Sequence, residues 1–316
     1  MDTEKIIESI GIDGQIAIMR SGLETVCDGL LHLYYGWRRS KEKEYVPDSD
    51  AIAQCILQMV VCKIRTLLTM CDGINVRPEK YTIRILDIPS LISVLRSLYE
   101  MVFVFHNIYA EQGTKEEQDI VLYIWEIRGL NNRQNMPIVP LSFIEKEEEE
   151  KKQIEDLKRR IISIATNLDI SDEIRKQLIN VASIKTVEIK GYRFKKDHEN
   201  SRIIAFKSYR YEEGAEALLR TDAPAYRLLS IHGHPSYLGV LQFGQMFNNE
   251  TDKNFLRTIL TCACKLASTI AMDFREYIDG ADDVFSKLKV NEKDYIIILL
   301  SAKWTLVLDF AVICHV

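Results

Sequence analysis

The residues of this chain that could do chemistry lie close together, where one arginine precedes two histidines. Arg227 is followed five positions later by His232 and seven positions later by His234. A guanidinium holds a phosphate through a planar fork of donors, and an imidazole moves a proton near neutral pH. We therefore expect these three residues to cleave a phosphodiester without a metal ion.

Four further residues are expected to support this site. Ser230 lies one helical turn after Arg227 and can hold a phosphate oxygen, and Ser236 follows the histidines. Arg96 and Glu100, one turn apart on an earlier helix, can orient a histidine or form an ion pair. The same residue types also cap helix ends and join helices, so a purely structural role for the stretch stays open.

The spacing from Arg227 to His232 or His234 resembles the arginine–histidine motif of the HEPN superfamily. Members of that superfamily are helical bundles, often dimeric, and many are metal-independent ribonucleases of toxin and phage-defence systems. The resemblance implies that Arg227 stabilises the charged transition state while a histidine shuttles the proton. It also implies RNA as substrate, a homodimer, and an antitoxin or another protein as partner.

A second resemblance covers more of the chain. The helix containing Arg96 and Glu100, together with the sequence His234-Pro235-Ser236, is similar to an uncharacterised family of bacterial helical proteins. That family brings no established activity. The resemblance therefore supports the fold class and leaves the chemistry to the arginine–histidine motif.

A basic segment lies between Lys185 and Arg210, where eight basic residues stand against three acids and aromatic residues are interleaved. Phosphate neutralisation with aromatic stacking is the chemistry of single-stranded nucleic-acid binding. A basic loop that balances the acidic run 145–150 has the same composition, so both interpretations stay open. The predicted nucleic-acid-binding residues are Lys190, Arg193, Lys195, Lys196, Arg202, Lys207 and Arg210.

Composition predicts a soluble globular protein. The 316 residues are 47% hydrophobic and 28% charged, and the net charge of −5 argues against general affinity for nucleic acid but permits a local basic face. Seven cysteines, an odd number without a regular framework, indicate reduced thiols of the cytoplasm. Six scattered histidines and the isolated pair Cys262 and Cys264 predict no metal and no cofactor.

The two ends of the sequence bear on localisation. Residues 1–10 carry acids and no long apolar run, so we expect no signal or transit peptide. The run 295–316 is the membrane candidate, but Lys303 and Asp309 inside it would each cost about 2.5–3.5 kcal/mol near a bilayer centre. We therefore expect a buried terminal helix and a cytoplasmic protein without a membrane partner.

Apolar residues recur at steps of three and four through most of the chain, which predicts an all-α, multi-helix bundle. Residues 186–210 lack that period and predict a short hairpin or an irregular insertion. The organisation predicted is an N-terminal helical region, 1–144, and a C-terminal region, 145–316, which carries the motif, or one continuous helical domain. Helices are expected over 52–70, 87–105, 117–131, 145–168, 211–219, 254–277, from 222 to 233 or 235, and after 291.

Overall fold

The structure is a computed structural model, which describes residues 10–77, 82–135, 144–183, 190–197, 202–219, 225–233, 236–249 and 251–301. The protein is 77% helical, and these ranges form 12 α-helices, one π-helix and two small antiparallel sheets of two strands each. The predicted mainly α, multi-helix fold is therefore confirmed.

The chain divides into two compact units, and the first is built from two separate segments. Residues 1–105 and 211–316 form the first unit, and residues 106–210 form the second. The predicted division after residue 144 thus falls inside the second unit rather than at a boundary. The arginine–histidine motif lies in the first unit, and the basic segment lies in the second.

The first unit is organised around one long helix, α10. Its residues Leu260, Ala263 and Leu266 are fully buried, and it packs on α1, α3 and α12. The helices are α1 (Ile12–Ser40), α2 (Asp48–Met70), α3 (Ile88–Phe105), α7 (Tyr211–Leu219), α8 (Ala225–His232), α9 (Tyr237–Asn249), α10 (Asp252–Tyr277), α11 (Ala281–Ser286) and α12 (Val290–Ser301).

The start of α3 follows from its sequence. The carboxylate of Asp87 accepts a hydrogen bond of 3.1 Å from the Ser90 backbone N–H, and Pro89 occupies the first turn, where no N–H partner is needed. Apolar residues then follow at helical spacing, with Leu91, Leu95 and others buried. The predicted helix over 87–105 is thereby confirmed.

A hairpin that the sequence did not predict joins α2 to α3. Strand β1 (Ile74–Val76) pairs with strand β2 (Ile83–Ile85), so that Ile74 lies opposite Ile85 and Val76 lies opposite Ile83. Gly73 precedes β1 at φ +72°, and a Cβ there would lie 2.9 Å from the Ile85 carbonyl oxygen, so glycine is required. Strands of three residues are too short to show a period of two in the sequence.

The second unit combines helices with one longer hairpin. Its elements are a π-helix (His106–Ala110), α4 (Lys115–Gln134), α5 (Ile144–Asn167), α6 (Asp172–Ser183), β3 (Gly191–Lys196) and β4 (Ile203–Tyr209). Thr114 caps α4, since its hydroxyl accepts a hydrogen bond from the Glu117 N–H. Strands β3 and β4 pair antiparallel, so of the two structures predicted for residues 186–210 the short hairpin is the one observed.

Three helical stretches overturn the prediction of a cytoplasmic protein. Helices α2 and α10, and residues 88–110, are long and apolar enough to cross a membrane by length and composition. The membrane candidate predicted from the sequence was the run 295–316, of which residues 302–316 lie outside the described part of the chain. Apolar stripes predict a core-facing helix, and the same stripes also make these three stretches apolar enough for a membrane.

Candidate functional site

The arginine–histidine motif lies on the short helix α8 and the turn that follows. The helix ends at His232, and the Gly233 N–H donates a hydrogen bond of 2.9 Å to the Leu229 carbonyl. A Cβ at Gly233 would approach that carbonyl oxygen to 2.8 Å, so the predicted helix end at this glycine is confirmed. The His232 side chain, and all of His234, lie outside the described residues.

Helix α3 holds the beginning of α8 through a polar triad. The Arg96 Nε donates to Glu100 Oε1 at 3.0 Å, which forms the predicted ion pair one turn apart. The Tyr226 hydroxyl donates to the same carboxylate oxygen at 3.0 Å and accepts from Arg96 Nη2 at 3.1 Å. Arg96 and Glu100 therefore contact the residue next to Arg227.

Aromatic rings enclose this triad on one side. The Tyr226 ring lies 5.3 Å from that of Tyr99 and 5.4 Å from that of Tyr211, and the Tyr99 hydroxyl donates to the Tyr211 carbonyl at 2.5 Å. Burial, and then the nearby Glu100 carboxylate, raise the pKa of Tyr226. The phenol is thus held in its neutral form, in which it can donate to Glu100.

Two serines fix the other end of α8. The Ser93 hydroxyl on α3 donates to the Pro89 carbonyl at 2.9 Å and lies 3.4 Å from the Gly233 carbonyl oxygen. Ser236 caps α9, since its Oγ accepts from the Gly239 N–H at 3.0 Å and donates to the Ile231 carbonyl at 2.9 Å. The hydroxyl of Ser236 is therefore engaged by the backbone.

Arg227 and Ser230 lie between these two attachments. The Arg227 side chain is exposed, and within the described ranges it forms no ion pair. Ser230 is half-buried. Residue types alone indicated Arg227 but not Tyr226, although Tyr226, Leu229 and Gly233 follow the helical spacing that faces α3.

The second unit contains the predicted nucleic-acid-binding residues, and several are neutralised there. Arg193 pairs with Glu111 at 3.0 Å, Lys196 with Glu117 at 2.8 Å, and Arg202 with Asp169 at 3.7 Å. The acidic run 145–150 instead bonds Arg133, Gln134 and its own neighbour Lys151. Ion pairing between the basic segment and this acidic run was one of the two interpretations left open by the sequence. It is not observed among the described residues.

Two lysines remain exposed on one face of the β3–β4 hairpin. Lys207 lies directly opposite Arg193, and Lys195 follows Arg193 on the same face. Neither lysine forms an ion pair within the part of the chain described. Lys190 is half-buried and Arg210 exposed. Glu111 offsets the charge of Arg193, so Lys195 and Lys207 are the two lysines of this face that stay available to a phosphate chain.

The aromatic residues of the segment do not join that face. Tyr192, Phe206 and Tyr209 are buried, and the rings of Tyr192 and Phe206 stack on each other at 5.4 Å. Phe194 is half-buried against Phe206. Base stacking on these rings, expected from the sequence, is therefore not supported by the structure.

A buried amide in the π-helix positions the hairpin. The Asn107 side chain accepts from the Tyr192 N–H at 3.0 Å and donates to the Tyr192 carbonyl at 2.8 Å. It thereby pairs with β3 as a neighbouring strand would. Glu111, one turn on, accepts from both Arg193 and the Tyr209 hydroxyl. The sequence offered no indication of this cluster, since π-helices are rare and have no simple pattern.

Metal ligation has no support in the described residues. Among them, no three or more His, Cys, Asp and Glu side chains lie close enough together to hold an ion. The free thiols of Cys27, Cys71, Cys262 and Cys264 are buried, whereas those of Cys55 and Cys62 are exposed.

Comparison with known proteins adds no relative. No family model, curated protein or solved structure matches this chain. The class that the fold defines is thus a mainly α-helical protein of two compact units, with a polar junction between α3 and α8 in the first. The resemblance to the HEPN superfamily remains a prediction.

Proposed function

We propose that this protein is a metal-independent ribonuclease of the HEPN type, which acts at α8 and the turn that follows it. Arg227 binds the scissile phosphate, and His232 or His234 transfers the proton. The observation that carries the proposal is the exposed Arg227 guanidinium on a helix fixed at both ends. Tyr226 is bonded to α3 at one end, and at the other the Ile231 carbonyl accepts from the Ser236 hydroxyl. The distance along α8 between the backbones of Arg227 and His232 is thereby held constant.

The reaction follows from the residue types. The ribose 2′-hydroxyl attacks the phosphorus, its proton passes to a histidine, and a proton from an imidazolium passes to the leaving 5′ oxygen. Arg227 offsets the charge that develops on the phosphoryl oxygens. The products are a cyclic phosphate end and a free 5′-hydroxyl. Arg96 and Glu100 act as positioning residues, because they bond Tyr226 rather than the phosphate.

This proposal includes biological roles that the resemblance implies. A ribonuclease of this class would act as an RNA-targeting toxin in phage defence, as a homodimer and under the control of an antitoxin or another protein. Growth arrest on induced expression, absent for an inactive variant, is the expected phenotype. The partner would be found by its suppression of that arrest.

The test is incubation of the purified chain with mixed RNA and a metal chelator. Cleavage that leaves cyclic-phosphate ends is expected for the unaltered chain. We expect its loss in Arg227→Gln and in the double variant His232→Ala, His234→Ala. Arg39→Gln, which changes an exposed arginine at the end of α1, is the matched control and should cleave normally. Equal cleavage by all variants would refute the proposal. The absence of cleavage by the unaltered chain, with a melting transition that shows it to be folded, would refute it as well.

A second candidate is a non-catalytic nucleic-acid-binding protein whose histidines are structural. The exposed Lys195 and Lys207, on one face with Arg193, favour this function. So does Ser236, whose hydroxyl serves as a helix cap. Binding of RNA without cleavage, weakened by substitution of the two lysines, is the outcome that selects this candidate.

A further inference from the structure

The β1–β2 hairpin exposes an aliphatic face. Because side chains alternate along a strand, the register places Ile74, Val76, Ile83 and Ile85 on one face. The first three of these are 53%, 42% and 50% exposed. A hairpin of a globular protein ordinarily turns such a face to the core.

On the opposite face, which is also exposed, Arg84 bonds the backbone just before β1. Arg84 Nε donates to the Asp72 carbonyl at 2.6 Å, and its Nη2 donates to the Cys71 carbonyl at 3.0 Å. These carbonyls belong to the last turn of α2 and the residues after it, where an arginine favourably supplies donors. The arginine thus joins the hairpin to the end of α2, and the aliphatic face stays exposed.

We propose that this hairpin inserts its aliphatic face into the surface of a lipid bilayer. The helical stretches on either side of the hairpin support a lipid partner. The hairpin connects α2 to α3, and α2 and residues 88–110 are both apolar and long enough for a membrane. Within the most apolar 18 residues of each stretch, 44% and 50% are buried inside the protein, against 83% for α10.

Dimension and charge agree with insertion at the interface. Strands of three residues extend about 10 Å, far short of the ~30 Å hydrocarbon core, so the hairpin can lie at the interface but cannot span the bilayer. Arg77, directly after β1, is exposed and forms no ion pair in the described ranges. A cation beside an aliphatic face suits anionic lipid headgroups.

The direct test places a tryptophan on this face. Val76→Trp is mixed with vesicles of phosphatidylcholine and phosphatidylglycerol in which the acyl chains are brominated. The fluorescence of the added tryptophan is the emission in excess of that of the unaltered chain. The brominated acyl chains should quench this fluorescence. Ile204→Trp, on an exposed position of the β3–β4 hairpin that is 57% exposed, is the control and should remain unquenched. The same measurement serves whether the chain is added to vesicles or reconstituted from detergent.

Binding of vesicles supplies an independent measurement. The variant Ile74→Thr, Val76→Thr, Ile83→Thr keeps β-branched residues but should bind at least about tenfold more weakly. Arg77→Gln should weaken binding about fivefold on anionic vesicles and leave binding to pure phosphatidylcholine unchanged. The control Ile204→Thr, Val290→Thr, Ile297→Thr changes three exposed aliphatic residues elsewhere and should bind normally. Normal binding by the hairpin variant, or an unquenched Val76→Trp, overturns the proposal.

Discussion

The Tyr226 hydroxyl lies 3.0 Å from Oε1 of Glu100, a residue 126 positions earlier in the chain. This hydrogen bond joins α8 to α3 directly beside the exposed Arg227. Arg96 contributes to the same junction from above the ring, its guanidinium carbon 5.3 Å from the Tyr226 centroid. The short helix is thus held by polar bonds and by aromatic packing together.

Removal of the Tyr226 hydroxyl should destabilise the protein without disturbing the aromatic packing. In Tyr226→Phe the Glu100 carboxylate loses a donor and Arg96 loses an acceptor, so we expect the free energy of unfolding to fall by about 1–2 kcal/mol. Denaturant unfolding measures the change. Tyr237→Phe is the control, since Tyr237 is 81% exposed and its substitution should have no effect. Equal stability of both variants would contradict a role for the bond.

The same phenol predicts a dependence of stability on alkaline pH. Burial, and then Glu100, raise the pKa of Tyr226 in the folded chain, so the folded state holds this proton more tightly than the unfolded state does. The stabilisation is complete below the ordinary tyrosine pKa of about 10 and is lost as the pH rises through the folded value. The Arg96 guanidinium opposes this rise in the pKa of Tyr226. Burial also raises the pKa of Tyr211, which faces the same cluster.

The measurement is the free energy of unfolding between about pH 9 and 11, where tyrosines begin to ionise. The unaltered chain should lose stability more steeply than Tyr226→Phe. A phenolate absorption titration should also show one fewer late-titrating tyrosine in the variant. Parallel pH curves for the two chains would exclude Tyr226 as the source.

The lysines of the β3–β4 hairpin predict a change in salt dependence. If Lys195 and Lys207 neutralise phosphates, Lys195→Gln, Lys207→Gln should reduce the slope of log affinity against log salt by about 1.4 for single-stranded RNA. The control Lys43→Gln, Lys287→Gln changes two exposed lysines of the first unit. Identical slopes for the two double variants would show that this face does not bind the phosphate chain.

Thiol reactivity should separate the cysteines by exposure. A water-soluble maleimide should label Cys55 and Cys62 on α2 and leave Cys27 and Cys71 unlabelled in the native chain. Burial raises the pKa of both Cys27 and Cys71 to about 11, which also suppresses the reactive thiolate. Mass spectrometry of peptides reads the pattern. Label at Cys71 without denaturant would contradict the packing described, and protection of Cys55 by vesicles would show that α2 contacts lipid.

The sequence predicted the helices well because their signals are local. Asp87 and Pro89 mark the start of α3, and Gly233 marks the end of α8 through a steric need that exists in the chain itself. Two of the site's features could not be predicted in this way. Tyr226 joins Arg96 and Glu100 only after residues far apart in sequence pack together, and Asn107 pairs with β3 by the same kind of distant contact.

The exposure of a side chain was also beyond the sequence. Tyr192 and Phe206 resemble stacking residues among basic neighbours, yet both are buried under the hairpin they belong to. The apolar stripes of α2 and α3 were predicted to face the core, and residues such as Ile56, Val60 and Leu95 are indeed buried. Whether a side chain is buried depends on which elements pack against each other, and apolar spacing alone does not specify this.

The divided first unit has a consequence for synthesis on the ribosome. Residues 1–105 emerge with the apolar faces of α1 and α3 complete, but α10, which covers them, is translated only after the whole second unit. The second unit is continuous in sequence, so it can fold before α10 has been synthesised. During that interval the nascent chain exposes long apolar helices, which makes it a substrate for chaperones that bind growing polypeptides.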